Sequence, residues 1–247
     1  MVNPRVILNE LRRQTPYTFL ATAAGMVVVI LIVLATGGRT SRVLVSYYFG
    51  MHVAHVFFAA IATTSMYCYF SEMNHQKNNS WSILAVGYLG SVGIATMTDA
   101  LIPYVAERMM SLPYATPHLG LIEIWWLVHP AALTGIAIGY LWPQAKVSHV
   151  LHVVISTVAT LLHMKMAMEP GVLTLGIYIG VFADIFFAVW LPDTLCDVVI
   201  PLLFVKSNEV KHRVKKQIRK IREARGRTEP KVVKVEKELL TVVTSAM

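Results

Sequence analysis

Cysteine and charge are both scarce in this sequence. Only Cys68 and Cys196 occur in 247 residues. They form no CxxC pair and no framework, which excludes a disulfide-stapled domain, a thioredoxin-like redox centre and a thiolate metal cluster. Residues 1–205 hold nine Lys/Arg and nine Asp/Glu. A soluble domain carries about a quarter charged residues, so an ordinary water-facing surface is excluded over that length. The first apolar stretch is too long for a signal h-region, and no small-x-small site follows it. A cleaved secretory leader is therefore not expected.

What the chain has instead is apolar length. It is 55% hydrophobic, and six stretches are long enough to cross a bilayer: 17–37, 44–70, 82–106, 119–142, 147–168 and 171–204. The expected fold is an all-α polytopic membrane bundle of six helices. The basic residues orient it. Thirteen Lys/Arg and five Asp/Glu lie in 206–247, and a basic flank after the last span belongs on the cytoplasmic side. An even number of spans puts the N-terminus, with Arg5, Arg12 and Arg13, on the same side. Lys77 and Lys146 then fall inside, and Arg39, Arg42, Arg108 and Lys165 outside. The expected location is the cytoplasmic (inner) membrane.

Within the tail, Val210, Val214, Ile218 and Ile221 form an apolar stripe under a cationic face. Such a helix suits anionic lipid headgroups, and nucleic acid is the less fitting partner. The expected organisation is a cytoplasmic segment 1–16, a membrane unit 17–108, a second membrane unit 109–205 and the tail 206–247. A homo-oligomer is compatible with the sequence.

Histidine is where these spans depart from plain lipid-facing helices. His149, His152, Ser156 and His163 fall within an arc of about 60° on one helix face, a polar stripe about 21 Å long. Such a stripe must face protein, water or a ligand. It also repeats. "HVAHVFFAAIAT" (52–63) aligns with "HVLHVVISTVAT" (149–160), with six of twelve positions identical, both histidines among them. "DALIP" (99–103) aligns with "DVVIP" (197–201) at almost the same offset. A unit of three spans is odd, so the second copy enters the membrane inverted, a construction of secondary transporters whose substrate sites lie near the repeat interface.

Each half then supplies two histidines and an aspartate: His52, His55 and Asp99 toward the outer face, His149, His152 and Asp197 toward the inner. Imidazole and carboxylate together suit a divalent transition metal (Zn, Mn, Fe, Co or Ni), and the lack of thiolates disfavours soft ions. Glu123, His129 and His163 lie in outer halves and are expected to enrich the outer site. Pro103, four residues after Asp99, is expected to free backbone carbonyls there, and Asp184 is an isolated intramembrane carboxylate. The function expected is proton-coupled transport of a divalent metal.

Two other chemistries fit parts of the pattern. His149 and His163 are fourteen apart, as are His52 and Met66, a spacing compatible with haem ligation in a b-type cytochrome. Outer histidines with Asp99 and Glu123 could also hold zinc in an intramembrane hydrolase.

Overall fold

Residues Arg42–Met73 form a single helix, α2, about 48 Å long at 1.5 Å per residue. No proline interrupts it, and its only glycine, Gly50, lies near the start. The computed structural model describes residues 4–35, 42–73, 79–143, 146–168, 175–196 and 200–204, and these are mostly helical with no strand among them. Around α2 stand α1 (Pro4–Ala35), α3 (Ser80–Met109), α5 (Trp125–Leu141), α6 (Lys146–Ala167) and α7 (Leu175–Thr194). A single turn, α4 (Gly120–Glu123), precedes α5, and α8 (Ile200–Phe204) follows α7. Val43–Glu72 and Ser80–Met109 are long and apolar enough to cross a bilayer; Thr18–Ile32, Trp125–Leu141 and His152–Ala167 are shorter apolar helices. The basic tail lies outside the described residues.

α2 separates two cores. On one side Leu44 and Tyr48 pack with Ala21 and Val29 of α1, Val158 and Leu162 of α6, and Ile185 of α7. On the other, Ala60 and Tyr67 pack with Ile83 and Val86 of α3 and Ile136 of α5. Small residues set the spacing. A Cβ on Gly135 would stand 2.5 Å from the Phe57 carbonyl oxygen, and one on Gly139 2.7 Å from that of Ile61. α5 therefore lies against α2 backbone to backbone, the close approach that glycine permits in apolar bundles.

α3 begins under an Asn79 cap whose side chain accepts from the Trp81 N–H. It then widens twice, into π-helical turns at Leu89–Gly93 and Met97–Leu101. The second turn buries three consecutive residues, Thr98, Asp99 and Ala100. In π register the N–H of Ile102 bonds to Met97, so the partner of Thr98 would be residue 103. That residue is proline and has no N–H. The orphaned Thr98 carbonyl lies 3.3 Å from the Thr160 hydroxyl of α6, which shares its one proton with the Ser156 carbonyl at 2.9 Å. The carbonyl freed by Pro103 is real, and α6 is tied to α3 there.

α3 ends at Ser111, whose φ of 56° reverses the chain. The span expected at 119–142 starts later, because Ile124 leaves helical geometry at φ −129°, ψ 39°; the helix proper begins at Trp125. Of the span expected at 171–204, the described residues are α7, the π-helical residues 195 and 196 that follow it, and α8.

Candidate metal centre

His52 and His55 are three residues apart, so they share one face of α2. Both are fully buried, and both meet Asp99 of α3. His52 Nδ1 lies 2.9 Å from Asp99 Oδ2, and His55 Nδ1 lies 2.9 and 2.8 Å from the two carboxylate oxygens. The Thr98 hydroxyl is 3.0 Å from Oδ1. A carboxylate flanked this way accepts, so each imidazole carries its proton on Nδ1 and leaves Nε2 as a bare lone pair. Neither His52 Nε2 nor His55 Nε2 has a hydrogen-bond partner.

The lone pair of His55 points toward α6 and α7. His152 stacks on His55 with ring centroids 5.0 Å apart and planes at 25°. Asp193, near the end of α7, places Oδ1 3.8 Å from His55 Nε2 and 3.5 Å from His152 Nε2. These ligand atoms all lie within 4.8 Å of one another, and all three residues are buried. The separations are too long for hydrogen bonds. They are close to the ~3.3 Å between ligand atoms around a tetrahedral ion with bonds of about 2.0–2.1 Å. An imidazole lone pair turned toward a buried carboxylate is repulsive without a positive charge between them. The cluster could hold a metal ion, with Asp99 behind His55 as the carboxylate that fixes ligand tautomer and orientation.

The residues expected from the sequence sort unevenly around this point. His52, His55, Asp99 and His152 come together, and they do so at one place, with His55 against His152. The side chain of His149 and all of Asp197 lie outside the described residues. His163 is buried, but Glu107 is its partner, at 2.7 Å. His129 pairs with the Tyr88 hydroxyl at 2.7 Å, and Glu123 is exposed, 3.7 Å from His118. The last two do not join the buried cluster, because the break at Ile124 puts Glu123 ahead of α5 and α3 turns Tyr88 onto His129.

Sequence reasoning missed Asp193, Glu107 and Tyr48. Asp193 is four residues before Asp197 in the sequence, and the repeat pointed only to the latter. Glu107 is a third acidic residue near the end of an apolar span, and that was its one visible signal.

Haem ligation by His52 and His163 finds little room. The Tyr48 ring contacts both imidazoles, at 6.0 and 5.2 Å between centroids, and both nitrogens of His163 are engaged, by Glu107 and by the His118 N–H. Comparison with known protein families, characterised proteins and solved structures yields no match to this chain.

Proposed function

We propose that this protein spans the membrane six times and carries a divalent transition-metal ion across it through the His55–His152–Asp193 centre. The observation that carries the reading is the buried convergence of two imidazoles and a carboxylate, one imidazole pinned from behind by Asp99. Two nitrogens and one oxygen suit Zn, Mn, Fe, Co or Ni rather than Ca or Cu(I).

A membrane setting is supported by what the surface exposes. Leu20, Leu31 and Leu34 on α1 and Ile179, Phe187 and Leu191 on α7 are all exposed, an apolar face that water would not tolerate at this extent. Tryptophans gather at two levels, Trp125 and Trp126 at one end of α5 and Trp142 at the other, about 25 Å apart along the helix. That is the disposition of an interfacial aromatic belt. With the basic tail as a further anchor, the partners of this reading are the bilayer, its anionic headgroups and the ion.

The inverted repeat is supported by how the halves exchange helices. α1 packs on α6 and α7, while α5 packs on α2 and α3. Gly25 of α1 meets Thr157 and Leu161; Gly135 meets Ala60 and Gly139 meets Thr64. Those two pairs on α6 and α2 are the same positions shifted by the sequence offset of the repeat. His55 and His152, themselves equivalent at that offset, face each other across antiparallel helices, as partners on a two-fold axis would. Residues 195 and 196 also take π geometry, matching the π turn that holds Asp99. A site on the axis between inverted halves is where alternating access places a substrate.

The test is metal content followed by flux. Purified protein loaded with Zn, Mn, Co or Ni should retain metal after desalting. His55→Ala, His152→Ala and Asp193→Ala should each lose it with circular dichroism unchanged. Proteoliposomes should then take up the retained ion, and the same variants should not. A wild-type protein that binds no ion sinks the metal reading. Bound ion without flux would favour the second reading, a fixed water-activating centre, for which the three-ligand count also speaks.

A further inference from the structure

A second buried pair of titratable side chains lies apart from the metal centre. Glu107 near the end of α3 and His163 on α6 are both shut off from solvent, and His163 Nδ1 is 2.7 Å from Glu107 Oε1. The other ring nitrogen, Nε2, receives the backbone N–H of His118 at 3.4 Å. A backbone N–H only donates. Nε2 is therefore the bare nitrogen, and the ring proton sits on Nδ1, aimed at Glu107.

His163 thus clasps the stretch between α3 and α5. Tyr48 of α2 holds the same residue by its other end, donating its hydroxyl to the His118 carbonyl oxygen at 2.8 Å. Two residues further on, Gly120 lies flat against His52: a Cβ there would stand 2.4 Å from His52 Cδ2 and 2.7 Å from Nε2. Residues 111–124 form a cover on the His52 end of the metal centre, fastened at His118 and, four residues earlier, by the Tyr114 N–H on the Ala167 carbonyl at 3.3 Å.

We propose that His163 is a proton-binding site that works as a latch: a proton taken up at Nε2 releases the His118 N–H and loosens the cover over His52, which Tyr48 still tethers by the His118 carbonyl. A second proton makes the ring an imidazolium, in which both nitrogens are donors. Nε2–H then confronts the His118 N–H, donor against donor, and a hydrogen bond becomes a repulsion. The Nδ1–H bond to Glu107 becomes charge-assisted and stronger, so the ring stays on α3 while the cover loosens. Glu107 Oε2, buried and without a hydrogen-bond partner, keeps acceptor capacity in reserve.

These are the groups that face the ring. From α3 comes Glu107, with Asp184 of α7 in electrostatic range of it. From α2 comes Tyr48, whose ring is 5.2 Å away. From the cover comes His118, ring centroid 5.7 Å away, with Thr116 3.0 Å from its Nε2 and Glu123 3.7 Å from its Nδ1. Lys165, two residues along α6, is the basic side chain nearest in sequence. Glu123 is exposed, His118 half-buried and His163 buried, a graded series along which a proton from the outer solution can arrive.

The latch concerns the cover and needs no bound metal, so its test is separate from that of transport. Amide hydrogen exchange in peptides spanning 113–124 would be followed in metal-free purified protein between about pH 8 and about pH 5, corrected for the intrinsic pH dependence of exchange. Protection should fall by about tenfold or more toward the acid end. H163Q keeps both hydrogen bonds, the amide oxygen accepting from His118 and the NH₂ donating to Glu107, but takes up no proton. Its cover should stay protected at both pH values. Equal protection of the wild type across the range, or the same acid response in H163Q, overturns the latch. A working latch in a protein that binds no ion would leave this inference standing and remove the metal reading alone.

Discussion

Asp99 does at the residue scale what no other side chain in the centre does, because one carboxylate sets the tautomer of two imidazoles. Asp99→Asn keeps the size but offers an amide N–H where an acceptor is needed. At least one of His52 and His55 must then move its proton to Nε2, the atom the metal would use. Metal affinity should fall by about 10–100-fold with the fold intact, measured by isothermal titration with Zn or Co. Asp99→Ala goes further and leaves two buried N–H donors without an acceptor, at a cost of about 3–5 kcal/mol. It should show as a lowered thermal unfolding temperature, and an unchanged Tm would mean that the Asp99 contacts are not made in the membrane. Some of this was readable in advance. Histidine and aspartate stand out in an apolar helix, so His52, His55, Asp99 and His152 were legible. Asp193 was not, because the repeat pointed to Asp197 and nothing in the local pattern singled out the aspartate four residues earlier.

At the scale of the element, the two glycine environments make a paired experiment. Gly135 faces the backbone of α2, with the Phe57 carbonyl oxygen 2.5 Å from a Cβ placed there, and backbone cannot swing aside. Gly135→Val should cost about 1–3 kcal/mol and loosen α5 from α2, read as a lower Tm. Gly93 has nothing within 4 Å of a Cβ, so Gly93→Ala should stay within about 0.5 kcal/mol of wild type. Equal effects at the two positions would contradict the packing described. A side chain from another helix reaches the π turn at Met97–Leu101. Thr160→Val removes the hydroxyl that reaches the Thr98 carbonyl and should cost about 1 kcal/mol, with metal affinity weakened alongside because Asp99 sits in the same turn.

The whole molecule makes its predictions through topology. If both chain ends are inside, as the proposed topology has it, a cysteine at residue 240 should resist an impermeant maleimide in intact cells, while Ala115→Cys, half-buried in the cover, should react. Reaction at 240 alone would reverse the orientation and make the cover cytoplasmic. The two halves share no continuous surface in sequence, yet α1 lies on α6 and α5 on α2. Each half is completed by a helix of the other. Removing residues 1–35 should therefore destabilise the second half more than the first, visible as faster exchange in α6 than in α5, because α6 loses Gly25 as its neighbour.

Periodicity and composition by themselves determined that the chain is helical, which stretches are apolar and which few polar residues interrupt them. Those properties depend on neighbours three or four residues apart, and a sequence shows such neighbours directly. Tertiary structure decided the rest. The packing of α2 on α6 brings His55 against His152 and Asp193 of α7 beside them, while the His149 side chain and Asp197 of the second set that the repeat suggested lie outside the described residues. The π turns shift the register of α3 in a way that a 3.6-residue period does not register, and they turn Asp99 inward. The reversal at Ser111 and the break at Ile124 lay Gly120 on His52. Each of these is a contact between residues far apart in the chain, and its geometry is set by packing volume and by carbonyls in want of a donor, which the order of the residues alone does not carry.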